Sequence, residues 1–166
     1  MNTMFDLQQY ALQKLKDTYT EHEIKVLCSL SFCKLLHYTN IDIHLKKHEF
    51  LAKSFIDKFV QIVEELKTDK PIQYILGETE FAGIDFQLNS ETLIPRPETE
   101  ELVMWIVESG VQPGASVLDI GTGSGCIIVS LGKLLKGVRL CGVDISPAAV
   151  RQAADNARSN GVEAKF

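Results

Sequence analysis

The most chemically suggestive stretch of the chain is Asp119-Ile120-Gly121-Thr122-Gly123-Ser124-Gly125, an apolar run ending in an acid, then three alternating glycines. Glycine lets a backbone turn sharply from strand to helix and lets a ligand approach without meeting a Cβ. A ligand so held lies over the carboxyl end of the strand and the helix N-terminus. A dinucleotide fingerprint would place its third glycine one residue later, where Cys126 stands. The second element is Asp144, nineteen residues beyond Gly125 at the end of the next apolar run. A carboxylate there can accept hydrogen bonds from two adjacent ribose hydroxyls, the job shared by nucleoside ligands generally. Its plainer role is that of an acid at the helix start formed by Ser146-Pro147. Asp119 either accepts backbone N–H bonds from the loop or approaches a cationic end of the ligand; the first is favoured, because tight turns leave donors to satisfy. The ligand-binding candidates are Gly121, Thr122, Gly123, Ser124, Gly125 and Asp144, with Asp119 beside them.

Charge narrows the ligand. The formal net charge of -5 argues against a general nucleic-acid binder, which is normally basic. Residues 1–68 hold 9 Lys+Arg and 9 Asp+Glu, net zero, whereas residues 69–166 hold 8 and 13, net -5. The acidic half carries the glycine loop, which disfavours a polyphosphate; a cationic sulfonium meets no such objection.

Other residue clusters read more plainly. Cys28, Cys33, Cys126 and Cys141 form no CxxC pair and lie in apolar periodic segments, so reduced, buried thiols are expected. His44 and His48 stand four apart, but Lys46-Lys47 between them would repel a cation; no metal site is expected. In Glu98-Thr99-Glu100-Glu101 the acids suit the positive end of a helix. Trp105 reads as a packed helix residue, Phe55 and Phe59 as core, and Lys46, Lys47, Lys53 and Lys58 as a solvated face.

These residues need elements to position them. Three one-sided stripes at helical spacing occupy the first part of the chain: Leu7, Tyr10, Ala11, Leu15; Ile24, Leu27, Cys28, Phe32, Leu35; and Leu51, Phe55, Phe59, Ile62, Val63, Leu66. A short helical turn near Ile41–Leu45 follows Thr39-Asn40. A small helical bundle over residues 1–69 is predicted. After Asp69-Lys70-Pro71 the pattern changes, and residues 70–93 read as a linker containing a hairpin: Glu80-Phe81, a turn at Ala82-Gly83, then alternating Ile84, Phe86 and Leu88. Pro97 starts a helix whose buried face is Leu102, Val103, Ile106 and Val107, ended by Gly110. From Ser116 the rhythm is strand (Val117–Ile120), helix (Cys126–Leu135), strand (Val138–Val143), helix from Pro147 to Asn160-Gly161, and the start of a third strand at Ala164–Phe166. The fold class is therefore α+β overall: an N-terminal helical bundle, a β-hairpin linker, and over 94–166 the first part of a Rossmann-like α/β domain with a parallel sheet.

Leu93-Ile94-Pro95-Arg96-Pro97-Glu98-Thr99-Glu100 resembles the segment preceding the catalytic core in the release-factor glutamine methyltransferases, the HemK/PrmC family. Pro71-Ile72-Gln73-Tyr74-Ile75-Leu76-Gly77, Phe81 and Phe86 resemble that family's linker hairpin, and Val117–Gly125 with Val143-Asp144 its cofactor motifs. The match is close over roughly residues 71–160; the helical part agrees in architecture more than in motif. The resemblance implies a class I methyltransferase domain using S-adenosyl-L-methionine, the loop residues and Asp144 holding it and Arg96, Pro97 and Thr99 bordering its methionine end. It also implies methyl transfer to the side-chain amide nitrogen of glutamine in a Gly-Gly-Gln motif of peptide chain release factors, the helical domain engaging that protein substrate. In the family an Asn-Pro-Pro-Tyr motif orients the amide, whose delocalised lone pair makes it a poor nucleophile. That string is absent here, so no catalytic residue is assigned, and the chain is expected to be part of a longer protein, inactive by itself and able at best to hold the donor.

The alternatives are an N6-adenine nucleic-acid methyltransferase and a non-enzymatic helical interaction module. No direct nucleic-acid contact and no membrane association are expected, since no apolar run nears the roughly 18 residues of a span. Without a signal-peptide pattern, the cytoplasm is the expected compartment. An uncovered sheet edge would favour self-association.

Overall fold

Three threonines start the first three helices. Thr3, Thr20 and Thr39 cap α1 (Met4–Leu15), α2 (Glu21–Leu36) and α3 (Asn40–Lys46); each side chain accepts a backbone N–H from Asp6, Glu23 or Asp42, whose carboxylate accepts the threonine N–H in return. The computed structural model describes residues 1–166 and divides into two units, Met1–Leu76 and Gly77–Phe166.

In the first unit the apolar stripes meet as predicted. Leu7, Ala11 and Leu15 of α1, Ile24, Cys28 and Phe32 of α2, and Phe55, Phe59, Ile62, Val63 and Leu66 of α4 (Lys53–Leu66) are buried together. Phe59 stacks on Phe32 with ring centroids 5.0 Å apart, so the aromatic stripe is core. A fifth helix, α5 (Ile72–Leu76), was not legible: one turn is too short to show a periodicity. Its start is set by Pro71, whose carbonyl accepts from the Tyr74 and Ile75 N–H groups, and Ile72 buries against the bundle. His48 lies beyond the end of α3, so it does not share a helix face with His44; its ring sits 5.4 Å from that of Phe5. Lys46 pairs with Asp42 at 3.1 Å and lies over the Tyr38 ring.

The second unit begins with the hairpin, β1 (Glu78–Phe81) and β2 (Ile84–Gln87), antiparallel with Phe81 opposite Ile84. Both turn residues have positive φ, 51° at Ala82 and 72° at Gly83, the pairing whose twist matches the flanking strands. Gly83 adopts that conformation freely, whereas Ala82 does so at a cost of about 1–2 kcal/mol. Phe81 and Phe86 meet edge to face and bury against Val103, Ile128, Val129 and Leu131, which makes the hairpin part of this unit's core.

Helix α6 (Pro97–Glu108) starts at Pro97, with Glu98 and Glu100 in its first turn. Only Val103 is fully buried, flanked by the half-buried Ile106 and Val107. Two expectations fail here: Leu102 is 40% and Trp105 71% exposed. Val103, Ile106 and Val107 fall at i, i+3, i+4 on one stripe, and the helical period turns Leu102 and Trp105 away from it.

Strand β3 (Ser116–Ile120) pairs in parallel with β4 (Arg139–Val143) around α7 (Cys126–Leu134), and α8 (Pro147–Ser159) follows behind the Ser146 N-cap. Beyond β4 the Gly142 N–H donates to the Lys165 carbonyl and the Lys165 N–H to the Leu140 carbonyl, the beginning of a third parallel strand. Helices cover one face of this sheet; on the other, Leu118 and Ile120 are 58% and 79% exposed. No helix is long and apolar enough to cross a membrane. The four cysteines are free, but only Cys28 and Cys126 are buried. Cys33 and Cys141 are half-exposed: Cys33 falls at the margin of the α2 stripe, and Cys141 lies opposite Leu118 on the uncovered face of the sheet.

Candidate functional site

The register of the parallel pair, Ile120 opposite Val143, brings the ends of β3 and β4 side by side. The Val143 carbonyl accepts both the Gly121 N–H at 2.8 Å and the Thr122 N–H at 2.9 Å, so the loop is folded back on the neighbouring strand as soon as β3 ends. The Gly125 N–H then donates to the Thr122 carbonyl at 2.8 Å, and Gly125 becomes the N-cap of α7. Gly121, Gly123 and Gly125 all have positive φ, 81°, 54° and 80°. This is the region that glycine occupies without steric cost.

The three glycines serve two purposes. A Cβ at Gly125 would lie 3.0 Å from the Ala153 Cβ and 3.1 Å from its Cα; this glycine admits the close approach of α8. At Gly121 and Gly123 a Cβ would meet nothing within 4 Å. These two leave open backbone facing the crevice.

Asp144 binds the loop directly. Its Oδ2 accepts the Gly123 N–H at 2.9 Å and its Oδ1 the Ser146 N–H at 2.9 Å. The Ser146 donor, then that of Gly123, holds the carboxyl below the usual aspartate range, so it is charged at neutral pH. A carboxylate has about four lone-pair sites, so it can accept further donors beside these. Asp119 takes a different part from the one expected: its Oδ2 accepts the Thr122 hydroxyl at 2.7 Å, and the loop N–H goes to Asp144. The reason is position. Asp119 lies one residue before the end of β3, within reach of the Thr122 side chain, while Asp144 stands just past β4, where the loop folded back on Val143 brings the Gly123 N–H to it.

Thr122 and Ser124 are buried, 4% and 2% exposed, so their side chains face inward and the loop can offer a ligand only their backbone. Arg96, Pro97 and Thr99 sit on a separate element, the first turn of α6, where the Thr99 N–H donates to the Arg96 carbonyl. The sequence-predicted residues thus form one cluster at the ends of β3 and β4 and a second at the start of α6. Asn156 was missed. It is fully buried on α8, and its Nδ2 donates to the Ser124 carbonyl at 2.8 Å. The available signal was a polar residue on the helical stripe Ala149, Ala153, Asn156, Ala157.

Strand, glycine loop, helix, parallel strand and terminal acid are the opening elements of a Rossmann-like α/β domain. Comparison with known proteins extends this. Residues 6–77 match the family model for the PrmC N-terminal domain, and residues 97–166 that for ribosomal protein L11 methyltransferase (PrmA). The release factor glutamine methyltransferase of Flavobacterium psychrophilum is 38% identical over 159 residues, covering 93% of this chain and 56% of that protein. The protein of the same name from Bacteroides thetaiotaomicron is 41% identical over 148 residues, 89% of this chain and 52% of that one. That of Bacillus subtilis is 32% identical over 174 residues, all of this chain and 58% of that one. The chain belongs to the release factor glutamine methyltransferase family, and it spans about half the length of the curated relatives it matches. Among solved structures, a Pyrococcus abyssi tRNA (uracil-54, C5)-methyltransferase in complex with S-adenosyl-L-homocysteine is similar, with 23% identity and a TM-score of 0.45 over 54% of this chain and 22% of that one. That likeness is too slight to bear on fold or function.

Proposed function

We propose that the crevice at the ends of β3 and β4 holds S-adenosyl-L-methionine as methyl donor. The acceptor is the side-chain amide nitrogen of glutamine in the Gly-Gly-Gln motif of peptide chain release factors. The observation that carries this reading is the open backbone of Gly121 and Gly123 beside the charged Asp144. Open glycine backbone gives a nucleoside room to lie close, and an ionised carboxylate with spare lone pairs accepts from ribose hydroxyls. The acidity of the unit also suits a sulfonium rather than a pyrophosphate. When bound, the sulfonium supplies the methyl group: its S–CH3 bond breaks as the N–CH3 bond forms, the amide nitrogen loses a proton, and the thioether S-adenosyl-L-homocysteine remains.

Within this reading Gly121, Gly123 and Asp144 contact the donor, with the Thr122, Ser124 and Gly125 backbone behind them and Asp119 steadying Thr122. Arg96, Pro97 and Thr99 border the methionine end. The helical unit, residues 1–76, engages the release factor, and the compartment is the cytoplasm.

Calorimetric titration of the chain with S-adenosyl-L-homocysteine and with NAD tests the cofactor class. Saturable binding of the first and none of the second is expected; the reverse would overturn the reading. The acceptor is tested on the protein as its gene encodes it. Labelled methyl groups are expected to pass to a release factor and not to DNA, and transfer to DNA alone would make it an adenine methyltransferase.

A further inference from the structure

Three amide side chains, Gln152 and Asn156 on α8 and Asn160 at its C-cap, stand four residues apart, and each meets β2 or the residues just after it. Asn89 Nδ2 donates to Gln152 Oε1 at 2.6 Å, and Asn160 Nδ2 donates to the Asp85 carbonyl at 3.0 Å. Between them Asn156 bonds Gln87 twice: its Oδ1 accepts the Gln87 N–H at 2.8 Å and its Nδ2 donates to the Gln87 carbonyl at 3.0 Å. The match is geometric. Four helical residues advance about 6 Å and two strand residues about 6.7 Å, so positions 152, 156 and 160 keep step with 89, 87 and 85. Backbone groups of alternate strand residues point to the same side. The even-numbered neighbour Leu88 donates its N–H to Gly77, on the β1 side. The odd-numbered groups of Asp85 and Gln87 therefore lie on the free edge of β2, where Asn156 bonds both backbone groups of Gln87 and Asn160 the carbonyl of Asp85.

Asn156 does more than its two companions. Its second Nδ2 hydrogen reaches the Ser124 carbonyl in the glycine loop at 2.8 Å, so one fully buried amide spends both donors and its acceptor on two separate segments. The peptide between Ser124 and Gly125 is held at both ends, its carbonyl by Asn156 and its N–H by the Thr122 carbonyl. The bond from the Gly125 N–H to the Thr122 carbonyl closes a turn with Gly123 and Ser124 at its centre, so holding that peptide holds the turn.

We propose that Asn156 is a positioning residue of the cofactor crevice, locking the glycine loop to the free edge of the hairpin. Hairpin docking and loop shape are then a single event. This rests on the S-adenosyl-L-methionine reading for its functional consequence, but not for the lock itself.

The test compares Asn156→Asp and Asn156→Ser with Asn160→Ala and Gln152→Ala, which weaken the same ladder without touching the loop. Two quantities are measured at a temperature where every variant is folded by circular dichroism. They are amide hydrogen exchange at Gly121–Gly125 in the free protein and affinity for S-adenosyl-L-homocysteine. Both Asn156 variants are expected to raise loop exchange relative to β3 and β4 by about tenfold or more, and to weaken binding by a similar factor, while the control variants change either by less than about threefold. Unchanged loop exchange in the Asn156 variants overturns the proposal whatever the ligand does. Unchanged affinity alongside a loosened loop also overturns it, as does failure of both Asn156 variants to fold, which would make the residue a folding determinant only. Faster loop exchange with no binding by the unsubstituted chain would keep the lock and reject the cofactor reading instead.

Discussion

The Asp144 carboxylate and the Gly123 N–H are joined at 2.9 Å across the ends of two parallel strands, so the acid after β4 shapes the loop after β3. One side chain thereby holds the loop in form and, in the proposed reading, also accepts from the ribose of the donor, which sets a sharp expectation for its substitution. In Asp144→Asn an amide NH2 must replace one oxygen, opposing either the Gly123 or the Ser146 donor. Affinity for S-adenosyl-L-homocysteine is expected to fall at least about tenfold, with the helical signal unchanged. Calorimetry alongside circular dichroism measures both; wild-type affinity in this variant would remove Asp144 from the site.

The pH dependence of that affinity follows from the same two donors. Because they lower the folded-state pKa, the charged form is fully present above the ordinary aspartate range and is lost only as pH falls through the lowered value. Affinity is therefore expected to be flat between about pH 8 and pH 5 and to decline only in more acid solution. A midpoint near neutrality would assign the dependence to another group.

The glycines separate ligand contact from packing. Gly123→Ala places a methyl in open crevice and costs about 1–2 kcal/mol of backbone strain. Gly125→Ala adds to a similar strain an overlap with Ala153, of the order of a further 1–3 kcal/mol. Thermal melts should rank Gly125→Ala as the less stable protein, and titration should show that Gly123→Ala binds S-adenosyl-L-homocysteine more weakly than its stability loss explains. Equal melting temperatures would show that α8 yields to the added methyl.

The loop was legible because local backbone demands determine it: each glycine in 121–125 meets a positive φ, and the apolar runs on either side are strands in their own right. The capped helices were legible for the same reason. What escaped depends on partners distant in the chain. Asn156 looks like any polar residue on a mostly alanine helix until Gln87 and Ser124 come to meet it. Trp105 sits among apolar neighbours on α6, and only the placement of Val103 decides that it faces outward. That the loop N–H goes to Asp144 and not to Asp119 turns on the fold-back of the loop onto Val143, which carries Gly123 to the end of the neighbouring strand.

The cysteines offer a check on the two cores. Burial pushes the Cys28 thiol up to about 12 and the Cys126 thiol up to about 11, while Cys33 and Cys141 are partly exposed. Alkylation with iodoacetamide near pH 8, followed by mass spectrometry, should label Cys33 and Cys141 first and leave Cys28 and Cys126 until denaturant is added, since the thiolate is the reactive form. Early labelling of Cys28 would place α2 outside a closed bundle.

The helical unit carries an acid-sensitive device in its three capping boxes. Asp6 and Glu23 are held below their ordinary ranges chiefly by backbone N–H donors, and Asp42 is lowered to about 2, first by the Thr39 hydroxyl. All three carboxyls have depressed folded-state values, so their stabilising effect is complete above the ordinary carboxylate range and lost as pH falls through the folded values. Replacing Thr3, Thr20 and Thr39 together by alanine removes the hydroxyls that accept helix N–H groups and that donate to Glu23 and Asp42, and leaves the backbone N–H donors in place, so the pH-dependent part of the loss falls mainly on Asp42. The substituted protein should melt several degrees lower at neutral pH, and the difference from the unsubstituted chain should shrink as pH falls from about 5 toward 2. A gap that stays constant across that range would assign the loss to the threonine side chains accepting helix N–H groups, with no contribution from the hydroxyl bonds to Glu23 and Asp42.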